Sequence, residues 1–252
     1  MKYLYRLYQL LIGVPVIILV TIVTAIAIGV GTTIGNGHFW GYYPGRWWAW
    51  IILRILLIPV TVEGREHLEK NQSYVFVANH QGAFDIFLIY GFLGRNFKWM
   101  MKHQIQKIPF VGYACRKSHQ IMVDKRGVSK IKKTYDDARR ILEQGYSVTV
   151  FPEGARTFTG HMGLFRKGAF ALADELQLPV VPLTINGSFD ILPRMRDWHF
   201  VSWHPLRLTI HQPIYPVGQG AENVNATMRQ AYDSVMSGLV PEYQGFVENL
   251  DQ

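Results

Sequence analysis

The chain has 252 residues, a formal net charge of +8, 49% hydrophobic residues and one cysteine, Cys115. A single cysteine excludes an internal disulfide framework and a cysteine-based metal cluster. The lysines and arginines are scattered and accompany no motif that reads nucleic acid. The positive charge therefore favours anionic lipids and phosphorylated substrates, not nucleic acid, as partners.

Residues 1–60 are predicted to form an N-terminal membrane anchor, followed by one domain over residues 61–252. Residues 10–30 carry no charge and would form a helix of about 31 Å, long enough to cross the hydrocarbon core of a bilayer. Residues 46–59 contain three tryptophans and a lone Arg54. That composition is typical of an interfacial or re-entrant amphipathic helix, which would return the chain to the side where it started.

Other interpretations of the first segment are open. Ala25-Ile26-Ala27 resembles the cleavage site of a signal peptide, although apolar sequence continues beyond it. A buried helix of a soluble protein is a further alternative. The sequence leaves open whether residues 10–30 span the bilayer or dip into it.

The remaining sequence alternates between predicted strands and helices. Strands are predicted at residues 74–78, 97–101, 119–123, 147–151, 180–185 and 206–211. Helices are predicted at residues 85–93, 128–143, 167–176 and 221–239. This alternation favours an α/β fold with a mixed, largely parallel sheet flanked by helices.

A histidine and an aspartate five residues apart, His80 and Asp85, follow the first of these strands. Gly82 lets the chain turn between them, and Asp85 is placed to cap the next helix. Such a turn can fold the carboxylate back onto the imidazole. The spacing recurs at His119 and Asp124, but that segment is predicted to be a strand, in which residues five apart lie on opposite faces, roughly 16 Å apart. Only the first pair is therefore predicted to form a dyad.

Four motifs in order closely resemble those of the glycerolipid acyltransferase family, most of all the bacterial 1-acyl-sn-glycerol-3-phosphate acyltransferases. The resemblance covers about residues 60–215. The motifs are Asn79-His80-x4-Asp85, the run from Lys102 through Pro109 to Gly112, Phe151-Pro152-Glu153-Gly154-x-Arg156, and Val180-Val181-Pro182-Leu183.

Three positions depart from the family pattern or leave it open. Ala155 stands where the family usually has threonine or another small residue, and Thr157 where it often has serine. The family usually has an arginine directly after the strand that ends near Asp124, and either Lys125 or Arg126 could take that role.

The resemblance implies acyl transfer from a thioester to an alcohol. His80 would deprotonate the attacking hydroxyl, and Asp85 would fix the imidazole tautomer and stabilise the imidazolium that forms. The substrate's own hydroxyl is the nucleophile, in agreement with the absence of a Gly-x-Ser-x-Gly motif. No metal or other cofactor is expected, since the acyl thioester is a co-substrate.

For a phosphate-bearing acceptor, Arg156 is the natural ligand because a guanidinium can grip two phosphate oxygens. In the family, the residues matching Glu153 and Arg156 are associated with binding that phosphate. Gly154, which has no side chain, leaves space around the backbone there. Glu153 could instead hold Arg156 or the turn. Lys102 and Lys167 are secondary candidates for the phosphate, with a solvated surface charge as the alternative.

The expected function is transfer of a fatty acyl group from acyl carrier protein or acyl-CoA to the sn-2 hydroxyl of lysophosphatidate, giving phosphatidate. The expected location is the cytoplasmic face of the cell membrane, in contact with membrane phospholipids. One alternative is the same chemistry on another lysophospholipid, glycerol 3-phosphate or an aminoacyl lipid. A non-catalytic protein that binds anionic lipid and a thioester hydrolase are alternatives of other classes.

Overall fold

A seven-stranded sheet lies at the centre of the computed structural model, which describes residues 2–124, 126–194 and 199–247. The strands are β1 (Val60–Glu63), β2 (Val75–Ala78), β3 (Phe97–Lys102), β4 (Ile121–Val123), β5 (Ser147–Val150), β6 (Val180–Asn186) and β7 (Leu206–Ile210). Their order is β1-β7-β6-β2-β5-β3-β4. The five strands from β6 to β4 are parallel, β7 is antiparallel to β6, and β1 is parallel to β7. The predicted mixed, largely parallel sheet is confirmed.

Helices flank this sheet. They are α1 (Lys2–Tyr8), α2 (Val14–Ile34), α3 (Gly37–Trp40), α4 (Tyr43–Ile55), α5 (Phe84–Phe92), α6 (Val111–Lys117), α7 (Val128–Glu143), α8 (Gly168–Glu175), α9 (Ser188–Ile191) and α10 (Ala221–Gly238). All four predicted helices of the domain are present, with α7 at its predicted bounds and the others within one residue of theirs. Strand β1 and the short helices α3, α6 and α9 were not predicted.

Both faces of the sheet are covered, as β2 illustrates. Phe76 and Ala78 pack into a core with α4 and α5, whereas Val75 and Val77 pack into a second core with α7, α8 and α10. Successive side chains of a strand point to opposite faces, so a strand buried on both faces reads as an unbroken apolar run. Full burial of Phe76, Val75 or Val77 contributes about 1.5–3 kcal/mol each.

The N-terminal helix is longer than predicted. α1, the π-helical turn Gln9–Gly13 and α2 form one helix, Lys2–Ile34, which is long and apolar enough to cross a membrane. Near its start, Gln9 is 4% exposed, and its side-chain amide donates to Val201 O at 2.8 Å and accepts from Val201 N at 3.1 Å. The first turns of this helix are therefore attached to a segment that comes late in the sequence.

The same helix also contacts the domain near its far end. Gly29 lies against Tyr113 and Gly31 against Trp40, so closely that a Cβ at either glycine would overlap the aromatic ring. Between these points, Trp48 Nε1 donates to Thr21 Oγ1 at 2.9 Å. The helix thus lies along the domain, while most of its apolar surface stays exposed.

The helix predicted at residues 46–59 is α4, which begins and ends earlier than predicted. It is amphipathic, as expected: Ala49, Ile52 and Leu53 are buried against the domain, while Trp47 and Trp50 are exposed. The chain then turns and enters β1, so the end of the predicted helix was wrong. Helix α4 packs into one of the two cores, so residue 60 does not separate two independently packed units. The boundary predicted there stays a prediction about which residues anchor the protein in the membrane.

The predicted strand at residues 119–123 begins later. β4 starts at Ile121, and His119 lies before it with a left-handed φ of 54°. The prediction that His119 lies in this strand was therefore wrong. Asp124 binds Arg126, whose Nε donates to Oδ1 at 2.9 Å and whose Nη2 donates to Oδ2 at 2.8 Å. Lys125 lies outside the described residues.

Candidate functional site

The two polar segments meet because their strands are parallel neighbours. β2 and β5 pair in register, with Val77 opposite Val150, so the chain leaves both strands at the same edge of the sheet. Beyond that edge, Thr157 N donates to His80 O at 3.0 Å and joins the two segments through their main chains. This edge, at the carboxyl ends of parallel strands, is where ligands bind in open α/β sheets.

His80 and Asp85 form the predicted dyad geometry. The imidazole Nδ1 lies 2.7 Å from Asp85 Oδ2, which also accepts from Gly82 N at 2.9 Å. The Asp85 side chain is fully buried, whereas 14% of the His80 side chain is exposed. An ionised carboxylate only accepts hydrogen bonds, so Nδ1 carries the proton and Nε2 is left as the proton acceptor.

Asn79 allows His80 to leave the sheet without breaking the hydrogen-bond ladder. Its side-chain amide donates to Ile185 O at 2.9 Å and accepts from Ile185 N at 2.8 Å, in the manner of one further pair of residues between β2 and β6. These buried main-chain groups would otherwise lack partners, at a cost of about 1–3 kcal/mol each. The main chain of His80 is thereby released toward the turn after β5.

Glu153 holds that main chain. This residue is 1% exposed, and its two carboxylate oxygens accept from His80 N at 2.6 Å and from Gly163 N at 2.7 Å. A buried carboxylate is stabilised by such donors, and hydrogen bonds to a charged acceptor are the stronger ones. The geometry therefore places Glu153 behind the dyad, where it fixes the backbone from which the imidazole projects.

Phe151 fixes the plane of the imidazole. The rings of His80 and Phe151 are stacked with their centroids 3.8 Å apart and their planes 7° apart, and Trp99 stacks on Phe151 at 5.5 Å. Stacked rings of this kind attract each other, so the contact fixes the orientation of the imidazole. Sequence reasoning missed this contact, although the position of Phe151 at the end of β5 was a signal for it.

Four cations gather at the same edge of the sheet as the dyad. Burial lowers the pKa of the Lys102 ammonium, and the charges of Arg194, Arg156 and Arg166 lower it further. Arg194 Nη1 donates to Arg156 O at 2.9 Å. The structure thus brings together Lys102 and Arg156, the two residues named as candidates for the same phosphate, and adds two arginines that sequence reasoning did not assign.

The other two predicted site residues take different positions. Gly154 has a left-handed φ of 83°, and a Cβ there would lie 3.1 Å from Arg166 Nε, so the missing side chain admits the guanidinium. Lys167 is exposed at the start of α8, where its carbonyl accepts from Ala171 N at 2.9 Å. The cations whose charge acts on Lys102, among the described residues, are the three arginines.

A largely parallel sheet with a buried aspartate bonded to a histidine, and with a cluster of cations at the same edge, defines an α/β protein with a candidate acid–base site near a concentration of positive charge. The Acyltransferase family model matches residues 59–186, about half of the chain, and the chain belongs to this family. The resemblance found in the motifs is confirmed.

Relatives and a solved structure support the assignment. The chloroplastic 1-acyl-sn-glycerol-3-phosphate acyltransferase LPAT1 of Arabidopsis thaliana is 32% identical over 175 residues, 69% of this chain and 48% of its own length. The 1-acyl-sn-glycerol-3-phosphate acyltransferase of Chlamydomonas reinhardtii is 32% identical over 189 residues, 74% of this chain and 54% of its own. This chain therefore spans about half the length of these relatives. The crystal structure of PlsC, the 1-acyl-sn-glycerophosphate acyltransferase of Thermotoga maritima, superimposes with a TM-score of 0.76 and 25% identity, covering 94% of this chain and 93% of that one.

Proposed function

We propose that the protein transfers a fatty acyl group from an acyl thioester to the sn-2 hydroxyl of lysophosphatidate and forms phosphatidate. The observation that carries the proposal is the Nδ1–Oδ2 distance of 2.7 Å between His80 and Asp85, which leaves Nε2 available as a base at the edge of the sheet where the cation cluster also lies. The names of the relatives supply the acceptor: they are acyltransferases of 1-acyl-sn-glycerol 3-phosphate.

In the proposed reaction, His80 Nε2 takes the proton of the acceptor hydroxyl as its oxygen attacks the thioester carbonyl. A tetrahedral oxyanion forms and collapses, the carbon–sulfur bond breaks, and the thiolate leaves. The imidazolium returns its proton to the thiolate. Asp85 holds the Nδ1 proton throughout and stabilises the positive charge on the ring.

The location is part of the same proposal. The helix Lys2–Ile34 supports membrane association, and the exposed Trp47 and Trp50 of α4 are suited to the lipid–water interface. The proposed location is the cytoplasmic face of the cell membrane, where acyl carrier protein and acyl-CoA are available. Either thioester fits the proposed chemistry, because the acyl carbon and the sulfur react in both.

The test is incubation of the detergent-purified protein with a panel of lysolipids and both thioester donors, with products identified by mass spectrometry. Acylation of lysophosphatidate at sn-2 is the expected result. Acylation of only other lysolipids, or release of free fatty acid alone, would contradict the proposal.

Arg156→Lys is the matching variant. It keeps the charge and removes the two-pronged geometry, so KM for lysophosphatidate should rise by roughly 10- to 150-fold, more than KM for the acyl donor. Equal loss for acceptors with and without phosphate would instead assign Arg156 to the structure of the turn.

A further inference from the structure

A side chain of the N-terminal helix holds the loop that leads into β7, residues 201–205. The amide of Gln9 donates to Val201 O at 2.8 Å and accepts from Val201 N at 3.1 Å, as a residue of a neighbouring strand would. Gln9 is 4% exposed, so little water reaches this pair of hydrogen bonds. Main-chain groups that leave water need partners, and Gln9 supplies both for Val201. The position of loop 201–205 is thereby tied to the helix.

Loop 201–205 contacts both ends of the short helix α9. Ser202 N donates to Ile191 O at 2.9 Å, at the last residue of α9. Pro205 O lies against Gly187, the residue before α9, so closely that a Cβ on this glycine would overlap it. A displacement of the loop would therefore move α9.

Helix α9 in turn contacts the turn between the two residues of the dyad. Ser188, its first residue, is fully buried, and a Cβ at Gly82 would lie 2.5 Å from Ser188 Oγ and 2.6 Å from Ser188 O. Gly82 N donates to Asp85 Oδ2 at 2.9 Å, and the same oxygen lies 2.7 Å from His80 Nδ1. A shift of α9 would therefore displace the amide that orients the carboxylate.

We propose that Gln9 is a positioning residue for the reaction, which acts through loop 201–205 and α9 on Gly82 and the Asp85 carboxylate. Its links are main-chain hydrogen bonds and close contacts at glycines, which have no flexible side chain to absorb a displacement. A misplacement of about 1 Å, caused far from the reacting atoms, can cost about 100-fold in rate. The inference rests on the proposed function, since the step that it concerns is the deprotonation of the acceptor by the dyad.

Gln9→Met is the test variant, because methionine has a similar length and a high helix propensity but cannot form the two hydrogen bonds. The main chain of Val201 then has to find other partners, and loop 201–205 moves. In a steady-state assay of the full chain in detergent, kcat should fall by about 10- to 100-fold. KM for the acceptor and for the thioester should each change by less than about threefold. Gln9→Asn, one methylene too short to reach Val201, should give the same result and serves if Gln9→Met does not fold.

Tyr8→Phe is the matched control. Tyr8 is the neighbour of Gln9 and also bonds a main-chain carbonyl, since its hydroxyl donates to Ile55 O at 2.8 Å. That carbonyl belongs to the last residue of α4 and not to loop 201–205, so this variant should keep a kcat close to that of the wild type. Melting temperatures in detergent show which variants are folded at the assay temperature. An equal fall in kcat for folded Tyr8→Phe would overturn the proposal, because any anchor of the helix would then have the same effect.

A double-mutant cycle with Asp85→Asn distinguishes positioning from a general loss of structure. If Gln9 acts through the dyad, Gln9→Met should lower kcat much less in Asp85→Asn than in the wild type. Additive losses would overturn the proposal. An increase confined to the KM of the acceptor would overturn it as well, because the loop would then act on Arg156 through Arg194. The cycle uses whichever lysolipid the wild type acylates, so a different acceptor would contradict the proposed function and leave this inference standing.

Discussion

At the scale of single residues, substitutions in the His80–Asp85 dyad give the most direct test of the proposed function. His80→Ala should lower turnover by roughly 10²–10⁴-fold with little change in substrate binding, because a general base acts in the transition state. Asp85→Asn should also lower turnover strongly, since an amide can stabilise the other imidazole tautomer. His119→Ala, the control with the same sequence spacing, should stay within a few-fold of wild type in a steady-state assay. A larger effect at His119 than at His80 would contradict the assignment.

Glu153 offers a second test at this scale, because its geometry differs from the phosphate-binding role that the family resemblance implies. In Glu153→Gln, the side-chain NH2 would face a main-chain N–H, and one hydrogen bond to a charged acceptor, about 1.5–3 kcal/mol, would be lost. We expect a lower melting temperature and a lower kcat, with KM for lysophosphatidate changing no more than KM for the donor. Glu143→Gln, at the exposed end of α7, is the control.

A selective increase in the acceptor's KM, at an unchanged melting temperature, would return Glu153 to the phosphate site.

The sequence predicts the contacts of some of these residues and not of others, for a physical reason. His80 and Asp85 are joined by one turn, so their contact is local and their spacing predicts it. The contact of Glu153 with His80 N depends on β2 and β5 being neighbours, which the chain order does not reveal. Arg194 reaches the turn after β5 only because β6 and α9 place it there, so no spacing indicates it.

At the scale of elements, Lys98 joins three parts of the fold. It is 3% exposed in β3, and its Nζ donates to Ser118 O at 2.8 Å and to Gly41 O at 3.4 Å. These carbonyls belong to the C-terminal caps of α6 and α3, where a helix dipole favours a cation. The lysine thus links the segment after the N-terminal helix to the edge of the sheet.

This burial predicts a dependence of stability on pH. Burial lowers the pKa of Lys98 from 10.5 to about 8. Between these values the unfolded chain keeps the proton and the folded chain does not, so unfolding binds a proton and the free energy of unfolding rises with pH. The rise from this group is on the order of 3 kcal/mol. Urea unfolding in detergent across this range should show it in the wild type and in Lys130→Met, and not in Lys98→Met. Parallel curves for all three proteins would contradict it.

The elements that sequence reasoning missed are short or depend on an unusual backbone conformation. β1 has four residues and follows the apolar end of α4, so its period is too brief to separate from the helix before it. The predicted strand is two residues too long because His119 has a left-handed φ. Residues other than glycine rarely adopt this conformation, so the sequence did not indicate it. The long helices and buried strands, in contrast, repeat their hydrophobic pattern often enough to be predicted.

At the scale of the whole molecule, the N-terminal helix sets the expected topology. A helix of 33 residues is about 50 Å long, and Lys2–Ile34 contacts the domain near both ends. The chain start should therefore lie on the same side of the membrane as the domain. Reporter fusions before Lys2 and after Gln252 should both give the cytoplasmic signal. Opposite signals would indicate a single pass, and a mature protein that starts near Ile28 would indicate a cleaved signal peptide.

The contact between Gln9 and Val201 also has a consequence for biosynthesis. The two residues are 192 positions apart, so this helix leaves the ribosome long before its contact with Val201 can form. Until residue 201 emerges, the amide of Gln9 lacks its main-chain partners, and the apolar surface around it has only lipid or a chaperone to cover it. At the proposed membrane location, the helix enters the bilayer before the domain is finished, and the domain folds beside a helix that is already in place.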